Sequence, residues 1–215
     1  MHTLEKHPTG SPDPYQHLCV PGRDPGKMLE VVRQQWRKRG AGEDLWVFGY
    51  ASLIWRPDFD HTERHSTHVH GWHRALAMWS RVNRGTPELP GLVFALLAGG
   101  SCRGVIYRVP HRHANEVLDV LWAREMPTAV YDARWLTCST PNGPVPALAF
   151  TLSRRSPSFT GELPPEEYRR IFRQARGRYG STLDYARQTA ESLREHGIQD
   201  RSLIRLLGHA APDES

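Results

Sequence analysis

The sequence predicts an α+β protein built on a small mixed β-barrel with flanking helices. Three observations carry that prediction. Six short segments between residues 45 and 152 are rich in aliphatic, aromatic and β-branched side chains, one amphipathic helical repeat interrupts them at 114–125, and from 164 onward the pattern is helical. At 215 residues the chain suits one domain with appendages. A fold of that size buries about 70% of the surface its unfolded chain exposes, so its core needs no staples.

The elements follow in order. Residues 1–26 hold five Pro and three Gly and few large apolar side chains, too few to offset the entropy of ordering, and read as a loosely ordered arm. Residues 27–44 are an N-terminal helix and linker. Asp24-Pro25 supplies an N-cap and a first-turn proline, Met28, Val31, Val32 and Trp36 share a face, and Arg37-Lys38-Arg39-Gly40 is a basic last turn with a glycine stop. The run LWVFGY (Leu45 to Tyr50) reads as a strand buried on both faces. Further strands are expected around 68–80, 92–98, 103–109, 130–138 and 145–152, with turns at Gly99-Gly100 and Asn142-Gly143. A helix is expected over 164–177, another starting at a Ser181/Asp184 capping box and ending at Gly197, and a short one near 200–208. The main domain is expected to span 45–210.

Composition narrows the class. Apolar residues are 39% and charged residues 24%, ordinary globular values. The net charge of +5 raises the question of nucleic acid. Its distribution argues against that: residues 1–44 carry 7 basic and 6 acidic side chains, 45–153 carry 10 and 8, and 154–215 carry 11 and 9, with no basic run. No apolar stretch reaches the ~18 residues of a membrane span, and MHTLEKHPTGSPDPYQ has no apolar signal-peptide core, so a cytoplasmic protein is expected. Cys19, Cys102 and Cys138 form no CxxC pair and indicate neither a disulfide framework nor a zinc ribbon. Oligomeric state is not legible.

The segment HRHANEVLDVLWAREMP carries the most chemistry. Ala114, Val117, Leu118, Leu121 and Trp122 fall at i, i+3, i+4, i+7 and i+8, and the next place on that stripe is Glu125. A carboxylate is therefore aimed at the interior, at the end of a helix that Pro127 stops. Burial and the negative helix end both raise its pKa, which suits a general acid/base; the alternative is a Glu that pairs with a buried Arg or turns outward. The second segment is FGYASLIWRP: a buried strand running into Gly49-Tyr50-Ala51-Ser52 leaves backbone N–H groups that suit a carboxylate or oxyanion, or is an ordinary strand-to-turn transition.

Several motifs in order then resemble a known family. WVFGYASLIWRPDF, GWHRA (Gly71 to Ala75), Arg84-Gly85-Thr86 with Pro90-Gly91, Gly104 to Arg108, LWAREM (Leu121 to Met126), and Gly177, Gly180, Tyr185 and GIQD (Gly197 to Asp200) resemble the bacterial branch of ChaC-type γ-glutamylcyclotransferases, from about Leu45 to Leu207. The resemblance implies a γ-glutamylcyclotransferase-like fold, no metal and no cofactor, and glutathione or a related γ-glutamyl amide as the small-molecule substrate, giving 5-oxoproline and Cys-Gly. It places the catalytic Glu at Glu125. The loop whose amides hold the γ-glutamyl group falls on Phe48, Gly49, Tyr50, Ala51, Ser52 and Leu53, with Val47 at its edge. Tyr131 and Tyr185 keep family positions and are expected to hydrogen-bond substrate or Glu125, or to be buried structural tyrosines. Three positions depart from the family: Ala51 replaces a Gly and would strain the loop if φ there were positive, Asn83 replaces a His or Gly, and Thr182 replaces an Asn.

Three other readings are weighed. His61, His65, His68, His70 and His73 crowd 13 residues, but on a strand only His68 and His70 share a face, which argues for a solvated edge and against a metal site. Gly99-Gly100-Ser101-Cys102 superficially suggests a nucleophile loop, yet a hairpin turn explains it. A non-catalytic γ-glutamyl-binding pseudoenzyme would follow if Ala51 spoiled the loop, with Arg169, Arg173 and Arg176 on one helix face as a docking row.

Overall fold

The computed structural model describes Tyr15, residues 18–40 and residues 42–210. Most of the expected N-terminal arm, residues 1–14, 16 and 17, lies outside the described residues. Its end is held: the Val20 amide donates to Thr128 O at 3.0 Å, and Arg23 Nη2 donates to Tyr131 O and Asp132 Oδ1, each at 2.8 Å. Helix α1 (Pro25–Arg37) starts as the sequence dictates, with Asp24 Oδ1 accepting from the Lys27 amide, and buries Val32 and Trp36.

A five-stranded sheet forms the body, in the order β2-β3-β1-β5-β4. Its strands are β1 (Leu45–Gly49), β2 (Glu63–Ser80), β3 (Gly91–Val109), β4 (Asp132–Thr140) and β5 (Gly143–Thr151). The pair β1/β5 is parallel and the others are antiparallel. Central β1 is flanked on both sides, and all of it except Trp46 is buried, which is why its sequence is an unbroken apolar run. The sheet curls until its edges approach, and Thr67 Oγ1 of β2 donates to Ser139 O of β4 at 2.7 Å.

One expected turn is absent. Gly99-Gly100 does not reverse the chain; it lies within the single long strand β3, which pairs with β2 from one end to the other. Gly71 stands opposite these two glycines, and all three have positive φ (79°, 100° and 72°). Two residues facing one make a bulge that bends a continuous ladder, so the glycines serve curvature here and not chain reversal. The β4–β5 hairpin turns where expected, closed by the pair Thr140↔Gly143.

The helices cover the two faces. A single turn, α2 (Ser52–Trp55), follows β1, and α3 (Ala114–Glu125) follows β3 through a short 3-10 turn. With α1, helix α3 packs Val117, Leu118, Leu121 and Trp122 on one sheet face. On the other, α4 (Pro165–Gln174), α5 (Thr182–Glu195) and α6 (Arg201–Gly208) close the barrel interior around Phe48, Ile106, Ile171 and Phe172. Each such fully buried apolar side chain contributes about 1.5–3 kcal/mol. The Ser181/Asp184 cap forms as expected, Ser181 Oγ accepting from the Asp184 amide at 3.0 Å.

Helix α4 ends three residues before the expected 177. Ala175 is extended, and β6 (Arg176–Gly177) pairs with β7 (Gly180–Ser181). The cause is a close approach: a Cβ on Gly177 would lie 2.6 Å from Arg84 N. Arg176 therefore leaves the face of Arg169 and Arg173, and the three-arginine docking row does not exist on the helix. No helix among the described residues is long and apolar enough to cross a membrane.

Candidate active site

The turn from β1 into α2 is shaped by small residues and one tyrosine. A Cβ on Gly49 would sit 3.0 Å from Leu53 Cβ and 3.4 Å from Tyr107 Cε2, so the chain folds back on itself only with glycine there. The Tyr107 hydroxyl lies 2.9 Å from both Leu53 O and Ile54 O and donates into that pair; burial pushes its pKa up to about 12, which keeps the proton on it. Ala51 has φ −145°, outside the left-handed region, so its methyl meets no such penalty. The Ser52 and Leu53 amides are first-turn amides of α2, for which a helix supplies no partner.

The loop residues divide by what they expose. Val47 and Phe48 are ladder residues with fully buried side chains in opposite cores, and Leu53 packs with Val47. Only the backbone of this stretch and the side chains of Tyr50 and Ser52 face other polar groups.

Glu125 ends α3, as the stripe required, and its side chain is 15% exposed. Burial raises its pKa above the ordinary carboxylate value, opposed by the adjacent Arg124, which pairs with it, and by Arg56. Arg124 is the hub of the site. Its Nε donates to Glu125 Oε1 at 3.0 Å, Nη2 to Ser52 Oγ at 3.0 Å, and Nη1 to Asp58 Oδ2 at 2.7 Å and to Arg56 O.

Three buried tyrosines surround the carboxyl electrostatically. Tyr50, Tyr131 and Tyr185 each sense Glu125, and burial raises the pKa of all three, so they stay protonated donors. The Tyr131 side chain lies close enough to Tyr50 to influence its proton affinity. The Tyr185 hydroxyl accepts from the Phe94 amide at 3.4 Å, with the Arg84 guanidinium 4.9 Å from its ring centroid. The structure thus brings Glu125, Ser52, Tyr50, Tyr131 and Tyr185 to one neighbourhood. The two polar departures have partners of their own: Asn83 Oδ1 accepts from Tyr15 OH at 2.8 Å, and Thr182 Oγ1 accepts from the Leu92 amide at 2.9 Å.

The competing groups are dispersed. His68 and His70 share a face, with ring centroids 4.2 Å apart, while His65 pairs with Glu63 and His73 with Gly99 O. Among the described residues no three His, Cys, Asp or Glu gather to hold a metal. Cys102 lies inside β3, and burial raises its thiol pKa, the opposite of what a nucleophile needs. An open cleft of about 790 Å³ bounded by Ile54, Trp55, Arg64, Ser139 and His196 lies beyond α2 and does not include Glu125.

The ChaC-like protein family model matches residues 45–211. The chain belongs to the ChaC-like family. It is 34% identical over 164 residues to the glutathione-specific γ-glutamylcyclotransferase of Escherichia coli, covering 76% of this chain and 71% of that one. Glutathione-specific γ-glutamylcyclotransferase 1 of Homo sapiens is 32% identical over 190 residues, covering 86% of each chain. Among solved structures, the glutathione-specific γ-glutamylcyclotransferase from yeast superimposes with a TM-score of 0.70 at 22% identity, covering 77% of this chain and 95% of that one. The ChaC-like fold is therefore shared even where sequence has diverged.

Sequence reasoning missed the cations of this ChaC-like site. Arg124 stands inside the LWAREM motif beside Glu125, and that adjacency was the available signal. Arg84, Arg74 and Asp200 lay in the RGT, GWHRA and GIQD motifs, whose spacing along the chain does not reveal what they touch.

Proposed function

We propose that this chain is a γ-glutamylcyclotransferase, a lyase that cleaves glutathione to 5-oxoproline and Cys-Gly, with Glu125 as its general acid/base. The single observation that carries the role of Glu125 is its environment: a carboxyl whose pKa burial lifts, held by Arg124 against the Ser52 end of the loop. A carboxyl whose pKa is lifted by burial is suited to serve as a general acid/base. Glu125 takes a proton from the γ-glutamyl α-ammonium, and the freed amine attacks the γ-carbonyl carbon. A ring C–N bond forms, the amide C–N bond to cysteine breaks, and Glu125 returns the proton to the leaving amine. The second proton shed by the attacking nitrogen ends on that amine as the product ammonium. No water or redox partner enters the balance. Amides of residues 49–53 hold the γ-glutamyl group and meet the oxyanion, and Tyr50, Tyr131 and Tyr185 wall it from water. Since nucleophile and electrophile share one molecule, the site needs only to hold the bent conformer.

The pseudoenzyme reading rested on strain at Ala51, and φ −145° removes that ground. The cytoplasm suits the reaction, and the three free cysteines suit a reducing compartment. The test is incubation of the purified protein with millimolar glutathione, quantifying 5-oxoproline and Cys-Gly, beside Glu125→Gln. Wild-type turnover is expected, with a loss of about 10²–10⁴-fold in the folded variant. A folded wild-type protein silent on glutathione and on other γ-glutamyl amides overturns the function; a Glu125→Gln variant of undiminished rate overturns the role.

A further inference from the structure

Two motifs far from Glu125 converge on one peptide of the loop. Arg74, on β2, is a buried guanidinium with its side chain 3% exposed. Its Nη1 donates to Tyr50 O at 2.6 Å and to Arg103 O at 3.2 Å. Its Nε and Nη2 both donate to Asp200 Oδ2, at 3.1 and 2.5 Å. Asp200 is fixed in turn, because its Oδ1 accepts from the Leu203 amide at 3.0 Å as the N-cap of α6. A planar fork answered by one carboxylate and two carbonyls leaves the guanidinium no second orientation.

The consequence lies on the other side of the peptide plane. In a trans peptide the C=O of one residue and the N–H of the next point in opposite directions. Holding Tyr50 O on Arg74 therefore turns the Ala51 N–H away from Arg74. Ala51 is buried, yet among the described residues its amide meets no acceptor. A buried amide without a protein partner is rare and calls for one from outside the chain.

We infer that Arg74, with Asp200 as its counter-ion, is a positioning residue that locks the Tyr50–Ala51 peptide so that the Ala51 amide is a preset donor to the γ-glutamyl group of the substrate. This rests on the proposed function, since it assumes that the 49–53 loop is the one that holds substrate. Arg74 touches no reacting atom; it fixes the donor that does. Without the fork the peptide plane rotates and the donor must be reoriented in every turnover.

The experiment compares Arg74→Gln, Arg74→Lys and Asp200→Asn with wild type on glutathione, reading kcat, KM, the pH profile and thermal stability. Asn caps a helix as well as Asp, so Asp200→Asn keeps α6 while removing the charge opposite Arg74. In Arg74→Gln, kcat falls about 10²-fold, the cost of one oxyanion donor, with KM changed less than kcat. The acid limb of the profile stays in place, because Glu125 is untouched. Arg74→Lys and Asp200→Asn fall between Arg74→Gln and wild type. A folded Arg74→Gln with wild-type kcat, or a loss confined to KM, overturns the inference. Should Arg74→Gln not fold, wild-type kcat in both milder variants overturns it equally. Absence of wild-type turnover overturns the functional reading instead, so the two failures are distinct.

Discussion

Arg124 Nη2 donates to Ser52 Oγ at 3.0 Å across 72 residues of chain. The same guanidinium grips Glu125 and Asp58, so one cation both opposes the burial that raises the carboxyl's pKa and fixes its place against the loop. Geometry and proton affinity are thereby coupled, and the site fails by both routes when the cation is lost.

Replacing Arg124 by Gln removes the largest influence that holds the Glu125 pKa down. The carboxyl then titrates at higher pH than in wild type. Because the free-base form starts the reaction, the acid limb of kcat/KM moves to higher pH. A pH–rate profile checks this, and a limb that stays or moves down refutes it.

The raised pKa of Glu125 also has a stability signature. The folded state binds this proton more tightly than the unfolded chain, so the contribution is fully present below the ordinary value of 4.5 and is lost as pH rises through the folded pKa. Glu125→Gln lacks that loss. The unfolding free energy of wild type, less that of the variant, therefore declines as pH rises through this window. Urea titrations over a pH series measure it, and parallel profiles would contradict it.

Gly49→Ala places a methyl 3.0 Å from Leu53 Cβ and 3.3 Å from Leu53 C. Backbone must give way, at a cost of about 1–3 kcal/mol, and the displaced turn carries the loop amides with it. Chemical denaturation should show that loss, and kcat should fall further than the folded fraction does. Unchanged stability would mean that the turn is softer than its packing.

Ala51→Gly adds unfolded-state freedom at a position with negative φ, and lowers stability by about 0.5–1 kcal/mol. Calorimetry decides between this and the opposite outcome, in which a higher Tm would expose strain at Ala51.

Much of the fold was legible in the sequence. The stripe from Ala114 to Trp122 placed Glu125 at the interior end of α3, and the caps at Asp24 and Ser181 form as side-chain chemistry requires. These features act within a few residues, where composition and periodicity carry the physics. Gly99-Gly100 misled, because glycine permits a bend and a reversal alike, and only the pairing with β2 selects the bend. Helix α4 also falls short of its expected window: its propensity continues into Arg176, but contact between Gly177 and residues 83–85 ends it.

By itself the sequence determined the α+β class, the inward direction of Glu125 and the candidate loop, since each depends on spacing along a strand or helix. Tertiary structure decided which cations meet them. Arg124 reaches Ser52 and Asp58, and Arg74 reaches Tyr50 and Asp200, only because the sheet curls and α6 closes over it. Those contacts join residues 24 to 126 positions apart, and the entropy of bringing them together is met by burial of the whole core. No local window holds that information.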